Sequence, residues 1–550
     1  MIIVFFKTFI TTLLVYFSGL STSKFLLKSE IKKEIYEYIF LGFIVMGFVA
    51  LLINFFLPLK ILYNSLYFFL VGLISFLFLK NINKNILYNH LILILLISLL
   101  ASILIFKSNI YTPDAGLYHL PYTKILNEEK IIIGLSNLHF RFGHISILQY
   151  INAINLNYLN GIIGIVFPIA IIVSTFLIFL GSELKKINND KEVSYQYLLI
   201  LIFFFSITYL DRYSNYGNDA LGYIYSILSI IYFFKYKKNN NKKINLDFKL
   251  LVIFSIFTFL NKPFLILFLF LPLVLLSHKK IFEIIKDKIL IFGILLLFFW
   301  FIKNILISGC IIYPSSFTCL DLLWTDLEKT RYYGIAGEAA SKGYLDVMKY
   351  QSELNDLSMN KFNHDFSWTK IWLKYHFNTV IEKIIPLFVF IFLIFLYKIF
   401  SKKNTDILKI KNLIYLLIFS FLGLLFWFLK FPLYRYGVSY ISIFLISLFC
   451  IFFNIMRFSF FNLKERNFLI IFFIFILIGI NLNRISNNFK LNDNLPDIYL
   501  SGKKILYKKI FIDNQFYYKA NSECLYGKNL CTHLNVDLNF KKIKGYKVFY

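Results

Sequence analysis

The sequence lacks the motifs that are typical of soluble nucleotide-binding enzymes. It contains no G-x-G-x-x-G and no P-loop motif, so no nucleotide-binding fold is predicted. Acidic residues are scarce, with 30 Asp and Glu against 58 Lys and Arg, which gives a formal net charge of +28. Proline (10), cysteine (5) and histidine (8) are also few among 550 residues. Because Lys and Asn abound, we give most weight to the scarcer residue types.

What the chain has instead is apolar surface. Hydrophobic residues make up 59% of it and aromatic residues 20%, and the mean hydropathy is +0.69. One water-soluble core cannot hide this much apolar surface, so lipid must be the solvent for most of the chain. The Lys and Arg residues lie mainly in short connectors between apolar runs. They indicate orientation against anionic lipid headgroups, and we expect no nucleic-acid partner.

Apolar runs predict an all-α polytopic membrane protein of about 12–14 transmembrane helices, since each span needs roughly 20 residues. The first run has no basic n-region and no A-x-A-like cleavage site, so we interpret it as a retained span. The predicted spans are 1–20, 39–58, 61–79, 89–106, 159–180, 196–210, 220–234, 249–261, 263–277, 289–307, 379–397, 413–430, 437–454 and 467–481.

The distribution of charge predicts the topology. With the N-terminus outside, every Lys-rich connector faces the cytoplasm, as the positive-inside rule requires. Two short spans then form a hairpin with Lys262 and Pro263 at its outer tip. The outer segments are loops 107–158, 211–219, 308–378 and 431–436. We therefore divide the chain into a transmembrane helical domain, 1–481, and a small extracytoplasmic C-terminal region, 482–550.

Four of the five cysteines form two close pairs in predicted outer segments. Cys310 and Cys319 flank a YPSSFT turn, and Cys524 and Cys531 flank LYGKNL in the C-terminal region. Because disulfides persist in oxidising compartments, both pairs are disulfide candidates and support the orientation. Four unpaired thiols at chance spacing are the alternative.

The first outer loop holds the densest cluster of scarce residues. Asp114, just past a helix end, is a candidate general base for a sugar hydroxyl, or else a cap for the helix that begins near Gly116. His119 is a candidate to orient Asp114 or bind phosphate, or is a buried histidine bonded to backbone. Arg141 is the best anion-binding candidate, with a headgroup contact as the alternative.

The remaining histidines and other outer segments supply further candidates. His139 is a candidate for donor binding, and His119, His139 and His144 fit no compact zinc motif, so we expect no metal. The loop at 211–219 offers Asp211, Arg212 and Asp219, of which Asp219 is the favoured second carboxylate, although a capping role is open to it. Lys262, Lys303 and Arg435 are candidates for a cationic pocket that binds a lipid phosphate, and the scarcity of Arg favours Arg435.

At these residues the chain resembles the GT-C superfamily of membrane glycosyltransferases, in particular a poorly characterised bacterial branch. That branch carries D-x-x-x-Y-H, N-L-H-x-R-x-G, G-x-x-x-Y-P and R-[FY]-G elements. The corresponding segments here are 114–119, 137–143, 309–314 and 435–437. The chain departs from many members because three spans precede the helix that leads into the first large loop, and because it has no paired D-D or D-E.

The resemblance implies a bundle of membrane helices with outer juxtamembrane helices, and transfer of a sugar from a polyprenyl-phosphate donor. Asp114 would act as the base, with His119 and Asp219 in the catalytic group, and Arg141, Lys262, Arg435 and His139 would bind the donor phosphate. The expected location is the bacterial inner membrane, with both termini extracytoplasmic. The expected partners are the lipid-linked donor, a cell-envelope glycan or glycolipid acceptor and membrane lipids, with no cofactor. An O-antigen polymerase or ligase and a lipid-linked sugar flippase are the alternatives.

Overall fold

The computed structural model is a bundle of long apolar helices with a small β-rich unit at its C-terminal end. It describes residues 1–27, 34–79, 84–108, 112–187, 193–210, 216–238, 245–275, 286–347, 355–399, 410–487, 505–513 and 515–550. Among these residues, nine helices are long and apolar enough to cross a membrane. The predicted all-α polytopic fold is therefore confirmed.

Eighteen α-helices follow one another in the described part of the chain. They are α1 Ile2–Leu27, α2 Ile35–Phe56, α3 Ile61–Leu79, α4 Lys84–Ile105, α5 Leu120–Glu128, α6 Ile147–Ile154, α7 Phe167–Lys186, α8 Val193–Tyr209, α9 Asp219–Lys238, α10 Leu246–Asn261, α11 Lys288–Ser308, α12 Leu327–Ser341, α13 Asp356–His364, α14 Trp368–Tyr375, α15 Phe377–Ile399, α16 Lys411–Lys430, α17 Tyr434–Ile455 and α18 Leu463–Asn487.

Shorter elements connect these helices. One π-helix covers Ala115–His119, and 3₁₀-helices cover Leu135–Asn137, Phe140–Gly143, Gly161–Ile165, Pro263–Phe270, Leu273–Leu275, Ser316–Thr318 and Tyr344–Asp346. The strands are β1 Tyr507–Ile512, β2 Gln515–Ala520, β3 Cys531–Thr532, β4 Phe540–Ile543 and β5 Tyr546–Phe549. β1 and β2 are antiparallel, β3 is parallel to β2, and β4 and β5 form a separate antiparallel pair.

The structure differs from the predicted spans at four places. The predicted spans 220–234 and 249–261 form α9 and α10, but among the described residues neither helix belongs to those long and apolar enough to be a candidate span. The span expected to begin at residue 159 begins at Phe167, because Pro168 starts the helix and a 3₁₀-helix precedes it. The second arm of the predicted hairpin is described as 3₁₀-helix over Pro263–Phe270 and Leu273–Leu275. Among the described residues, three shorter apolar helices accompany the nine long ones, at Ile61–Leu77, Val193–Tyr209 and Pro263–Leu275.

Contacts between helix ends define two ends of the bundle. At one end, the last turns of α7, α9 and α15 meet the starts of α2 and α18. Three contacts show this, namely Lys235–Glu183 at 2.7 Å, Tyr232–Glu37 at 2.7 Å and Lys398–Glu465 at 3.3 Å. These five helix ends, which the charge pattern predicted to lie on one side, therefore share one end.

The opposite end collects the predicted outer segments. Near the start of α1, Lys7 donates to the carbonyl of Asn160 at 3.0 Å, and Arg484 in α18 donates to the carbonyl of Phe106 at 2.8 Å. This end of the bundle, which we call the loop end, also contains the first outer loop, α12 to α14 and the C-terminal β unit. The disulfides Cys310–Cys319 and Cys524–Cys531 both form in these segments, as predicted.

The two ends should lie on opposite sides of the membrane. Lys329 in α12 and Lys464 in α18 are exposed, one at each end. We expect only one of the variants Lys329→Cys and Lys464→Cys to react with a membrane-impermeant maleimide in intact spheroplasts, and the other to react after permeabilisation. The wild type is the blank, because Cys450 is buried and the other four cysteines are paired. Equal labelling of both variants in intact spheroplasts would contradict the bundle topology.

Candidate functional site

A cavity of about 500 Å³ opens at the loop end of the bundle. Five charged side chains reach it from the first outer loop, the start of α9, the end of α10 and the start of α17. These are Asp114, Arg141, Asp219, Lys262 and Arg435, and the two histidines among the lining residues are His119 and His144. Elements far apart in the sequence therefore bring six of the seven predicted catalytic and donor-binding residues into one cavity.

The Asp114 carboxylate forms an ion pair across this cavity. Its Oδ2 atom accepts a hydrogen bond from Nη1 of Arg435 at 2.9 Å, and the Asp114 side chain is 39% exposed. Although Asp114 precedes the π-helix, its side chain makes no capping hydrogen bond. The hydroxyl of Thr112 accepts from the Ala115 N–H at 3.1 Å instead. The capping alternative for Asp114 is therefore wrong, and its carboxylate faces the cavity.

Arg435 also sets the charge state of Asp114. Burial would raise the pKa of the Asp114 carboxyl, but the hydrogen bond and positive charge of Arg435 outweigh it, with a smaller contribution from Arg141. The pKa of Asp114 is lowered below its usual value as a result. Asp114 is thus a carboxylate at neutral pH, able to accept a proton but weakly basic while Arg435 contacts it.

A second ion pair adjoins the first. Nζ of Lys262 lies 2.8 Å from Oδ1 of Asp219, and it also donates to the backbone carbonyl of Arg435. Lys262 occupies the turn after α10, and Pro263 follows it at once, so the chain reverses there with the lysine at the tip. The position of Lys262 at the tip of the hairpin agrees with the prediction, and this tip lies at the loop end. This one side chain joins α9, α10 and α17.

Arg141 is held by aromatic rings. Its guanidinium carbon lies 5.5 Å from the centre of the Tyr118 ring and 5.0 Å from that of Phe140, and Phe140 in turn stacks on Tyr333 at 4.2 Å. Stacking on aromatic faces leaves the edge donors of a guanidinium available. Arg141 is therefore positioned as an anion-binding group.

The two cavity histidines are neutral at neutral pH. Burial lowers the pKa of His119 to about 4, against the opposing charges of Asp114 and Asp219. Burial and the nearby charge of Arg141 lower the pKa of His144 to about 3. Neither histidine therefore adds positive charge to the cavity, and each can accept or donate one hydrogen bond through a neutral ring.

His139 is not brought to the cavity. Its Nδ1 atom accepts a hydrogen bond from the Arg141 N–H at 3.1 Å, and its ring lies 5.0 Å from the ring of His533 in the C-terminal unit. The aromatic side chains of the turn cover it, and it is 1% exposed. This packing places the predicted donor-binding histidine behind the cavity wall, where it shapes the turn that carries Arg141.

The other predicted residues divide between different locations. Lys303 is fully buried and donates to Asn54 Oδ1 at 2.8 Å, so it does not line the cavity. Asp211 and Arg212 lie outside the described residues. Among the side chains that the structure describes, no group of three or more His, Cys, Asp or Glu residues is placed to hold a metal ion.

The glycines of the sequence motifs permit close packing around the cavity. A Cβ atom at Gly143 would lie 2.7 Å from the ring of Tyr313, and one at Gly437 would lie 2.6 Å from the ring of Trp427. Tyr313 belongs to the G-x-x-x-Y-P segment, between the two cysteines of the first disulfide. The motif segments are thus in direct contact, although they are far apart in the sequence.

The C-terminal unit docks on the first outer loop by backbone hydrogen bonds. The Leu525 N–H donates to the carbonyl of Gly116 at 2.9 Å, beside the π-helix. Ile133 donates to the carbonyl of Lys547 at 2.9 Å and accepts from the Phe549 N–H at 3.0 Å. The last strand, β5, therefore pairs through its backbone with the loop that carries Arg141. No sequence pattern predicted this contact.

Several cavity residues were not selected from the sequence. Tyr118 belongs to the first motif, so its position there was a usable signal. Trp300 and Asn304 lie inside an apolar span, where only the scarcity of tryptophan could have singled one of them out. Tyr436 follows Arg435 directly and contacts its guanidinium at 5.2 Å from the ring centre.

Over residues 1–442 the chain matches the family described as Domain of unknown function (DUF8201). This match covers well over half of the chain, so the protein belongs to that family. The matched region contains every residue that lines the cavity. No curated protein and no solved structure matches the chain.

Gly143→Ala should destabilise the protein by about 1–3 kcal/mol, because the added methyl group would overlap the Tyr313 ring. Thermal unfolding in detergent would measure this. Gly479→Ala in α18 is the matched control, since nothing lies within 4 Å of its added Cβ and alanine favours a helix. A Gly143→Ala protein as stable as the control would contradict the packing of the two motifs.

Acidification should destabilise the protein through its buried histidines. Burial lowers the pKa of His139 to about 3, so the unfolded chain takes up a proton near pH 6.5 that the folded chain resists. Stability should therefore fall as the pH drops from 6.5 toward 3, by on the order of 1.4 kcal/mol per pH unit for each such histidine.

His139→Asn isolates one contribution to this pH dependence. The asparagine oxygen can still accept from the Arg141 N–H, but the side chain cannot titrate. Unfolding temperatures measured between pH 7.5 and 5 should fall less steeply in the variant than in the wild type. Parallel profiles would show that His139 is not buried in its neutral form.

Proposed function

We propose that the protein transfers a sugar from a polyprenyl-phosphate donor to a glycan or glycolipid acceptor of the cell envelope. The observation that carries the proposal is the cavity itself. It holds two carboxylates, Asp114 and Asp219, among three cations, Arg141, Lys262 and Arg435. The excess of positive charge can bind a phosphate group, and a carboxylate in the same cavity can accept a proton.

The orientation favours a lipid-linked donor. The described ends of α2, α7, α9, α15 and α18 that flank Lys-rich connectors lie away from the cavity. The positive-inside rule favours a cytoplasmic location for that end in the bacterial inner membrane that we propose. The cavity then opens on the extracytoplasmic side, where nucleotide sugars are absent. A polyprenyl phosphate can enter such a cavity from the bilayer. In the labelling experiment above, this orientation requires Lys329→Cys to be the variant that reacts in intact spheroplasts.

The reaction is a single displacement that inverts the sugar configuration. A hydroxyl oxygen of the acceptor forms a bond to the anomeric carbon while the bond from that carbon to the phosphate oxygen breaks. The hydroxyl proton passes to the Asp114 carboxylate, and the bonding electron pair leaves with the polyprenyl phosphate. Arg141, Lys262 and Arg435 stabilise the negative charge on the departing phosphate.

Asp219 and His119 support these groups. Asp219 holds Lys262 at 2.8 Å and so fixes the ammonium at the cavity wall. His119 is neutral and lies against Tyr118, with ring centres 4.3 Å apart. Because its ring is neutral, it does not protonate Asp114, and it does not compete with the cations for the phosphate. We assign Asp114 as the base and the other two as positioning residues.

Asp114→Asn should lower sugar transfer by about 10²- to 10⁴-fold, because the amide cannot accept the hydroxyl proton. The assay follows a labelled sugar from polyprenyl phosphate in membranes that contain the full-length protein. Asp326→Asn is the matched control, since Asp326 caps α12 by accepting from the Lys329 N–H at 2.9 Å and asparagine preserves such a cap. The control should transfer at the wild-type rate.

The same assay separates the alternatives. Equal transfer by wild type and Asp114→Asn would remove Asp114 as the base and favour an O-antigen polymerase or ligase that relies on arginine and histidine. Movement of the labelled lipid across the membrane without transfer would favour a flippase.

A further inference from the structure

The cavity has an uncharged wall as well as a charged one. Five neutral polar side chains from the start of α6, the end of α10 and the outer half of α11 line it. We call this set the amide wall, and it consists of Ser146, Gln149, Asn261, Trp300 and Asn304. Asn261 and Lys262 are neighbours, but the Asn261 side chain contacts the start of α6 and that of Lys262 contacts Asp219.

Most of the amide wall is fixed by its own hydrogen bonds. Asn261 Oδ1 accepts from the Leu148 N–H at 3.0 Å and from the Ser146 hydroxyl at 3.3 Å. Gln149 Oε1 accepts from the Ser146 N–H at 3.1 Å. Asn304 Nδ2 donates to the carbonyl of Trp300 at 2.9 Å. These bonds hold the wall rigid before any ligand arrives.

Trp300 is the exception in this wall. Its side chain is fully buried, yet its indole Nε1–H has no hydrogen-bond partner among the described residues. The ring is held by Phe259 and Phe301, with ring centres 5.3 Å and 5.4 Å away. A buried donor without a partner costs free energy, and the Trp300 side chain lines a cavity large enough for a ligand. An indole N–H only donates, so its partner must be an acceptor atom.

We propose that the amide wall binds the sugar of the lipid-linked donor and that the Trp300 N–H donates a hydrogen bond to a hydroxyl oxygen of that sugar. This inference rests on the proposed function. The wall carries no charge, so the sugar it fits is a neutral hexose or N-acetylhexosamine rather than a sugar acid. The charged side chains of the same cavity remain for the phosphate, and the two walls together recognise the two halves of the donor.

The test compares two lipids on the full-length protein in nanodiscs. One is a short-chain polyprenyl phosphate, and the other is the same lipid carrying a neutral hexose. The wild type should bind the hexosyl lipid more tightly. Trp300→Phe keeps an aromatic ring but removes the N–H. It should weaken binding of the hexosyl lipid by about 2- to 12-fold, the value of one neutral hydrogen bond, and leave binding of polyprenyl phosphate unchanged.

Trp324→Phe is the matched control. Its Nε1–H donates to the carbonyl of Ile305 at 2.9 Å, outside the cavity, so its loss should not change the ratio of the two affinities. If Trp300→Phe fails to fold, monodeoxy hexosyl lipids test the wild type directly. One of them should lose the same 2- to 12-fold in affinity.

Two results would overturn the inference without touching the proposed function. These are equal weakening of both lipids by Trp300→Phe, and transfer by a wild-type protein whose affinity is the same for both lipids. Unchanged affinity for the hexosyl lipid in Trp300→Phe would also refute it and would mean that the N–H meets only water. If the wild type distinguishes the lipids as expected but transfers no sugar, the amide wall stands and the transferase proposal fails. If the wild type binds neither lipid, both the amide-wall proposal and the transferase proposal fail.

Discussion

The structure of the loop end depends on two ion pairs, Lys262–Asp219 and Arg435–Asp114, which Lys262 links through the backbone of Arg435. This lysine contacts the Asp219 carboxylate and the backbone carbonyl of Arg435, while the Arg435 guanidinium contacts Asp114. One side chain thereby joins the hairpin tip, the start of α9 and the start of α17. Removing one partner of a partly buried pair leaves the other charge uncompensated, which costs more than the pair itself contributes. The four groups therefore hold one another in place as a unit.

The bundle was predictable because lipid excludes charge. Ionisable residues must lie at helix ends, so the apolar windows and their Lys-rich connectors gave the spans and their alternation. The helix type after Pro263 was not predictable, because composition does not distinguish a 3₁₀-helix from an α-helix in an apolar run. The predicted span 220–234 forms the helix α9, whose tyrosines and terminal lysines lower its hydropathy, so it is not one of the nine long apolar helices in the described part of the chain. The bundle nevertheless buries residues 220–234.

The charged part of the cavity was predictable from scarcity, and the rest was not. Asp114, Arg141 and Arg435 stand out in a chain rich in Lys and Asn, and all three lie in predicted outer segments. Trp300 lies in an apolar run, and the role that we propose for it rests on a donor without a partner among the described residues. The docking of the C-terminal unit joins Gly116 to Leu525 through backbone atoms, and backbone hydrogen bonds leave no mark on side-chain patterns.

The Asp114–Arg435 pair explains how a weak base can serve the proposed reaction. While Arg435 contacts it, Asp114 has a lowered pKa and little tendency to take a proton. A donor phosphate that enters the cavity would share the Arg435 guanidinium and place negative charge near Asp114. Both effects raise the pKa of the carboxyl. Because linkage is reciprocal, a protonated Asp114 would bind the phosphate more tightly than an ionised one. Asp114 would thus become a stronger base when the donor is present. The same Arg435 guanidinium would bind the phosphate and set the pKa of Asp114.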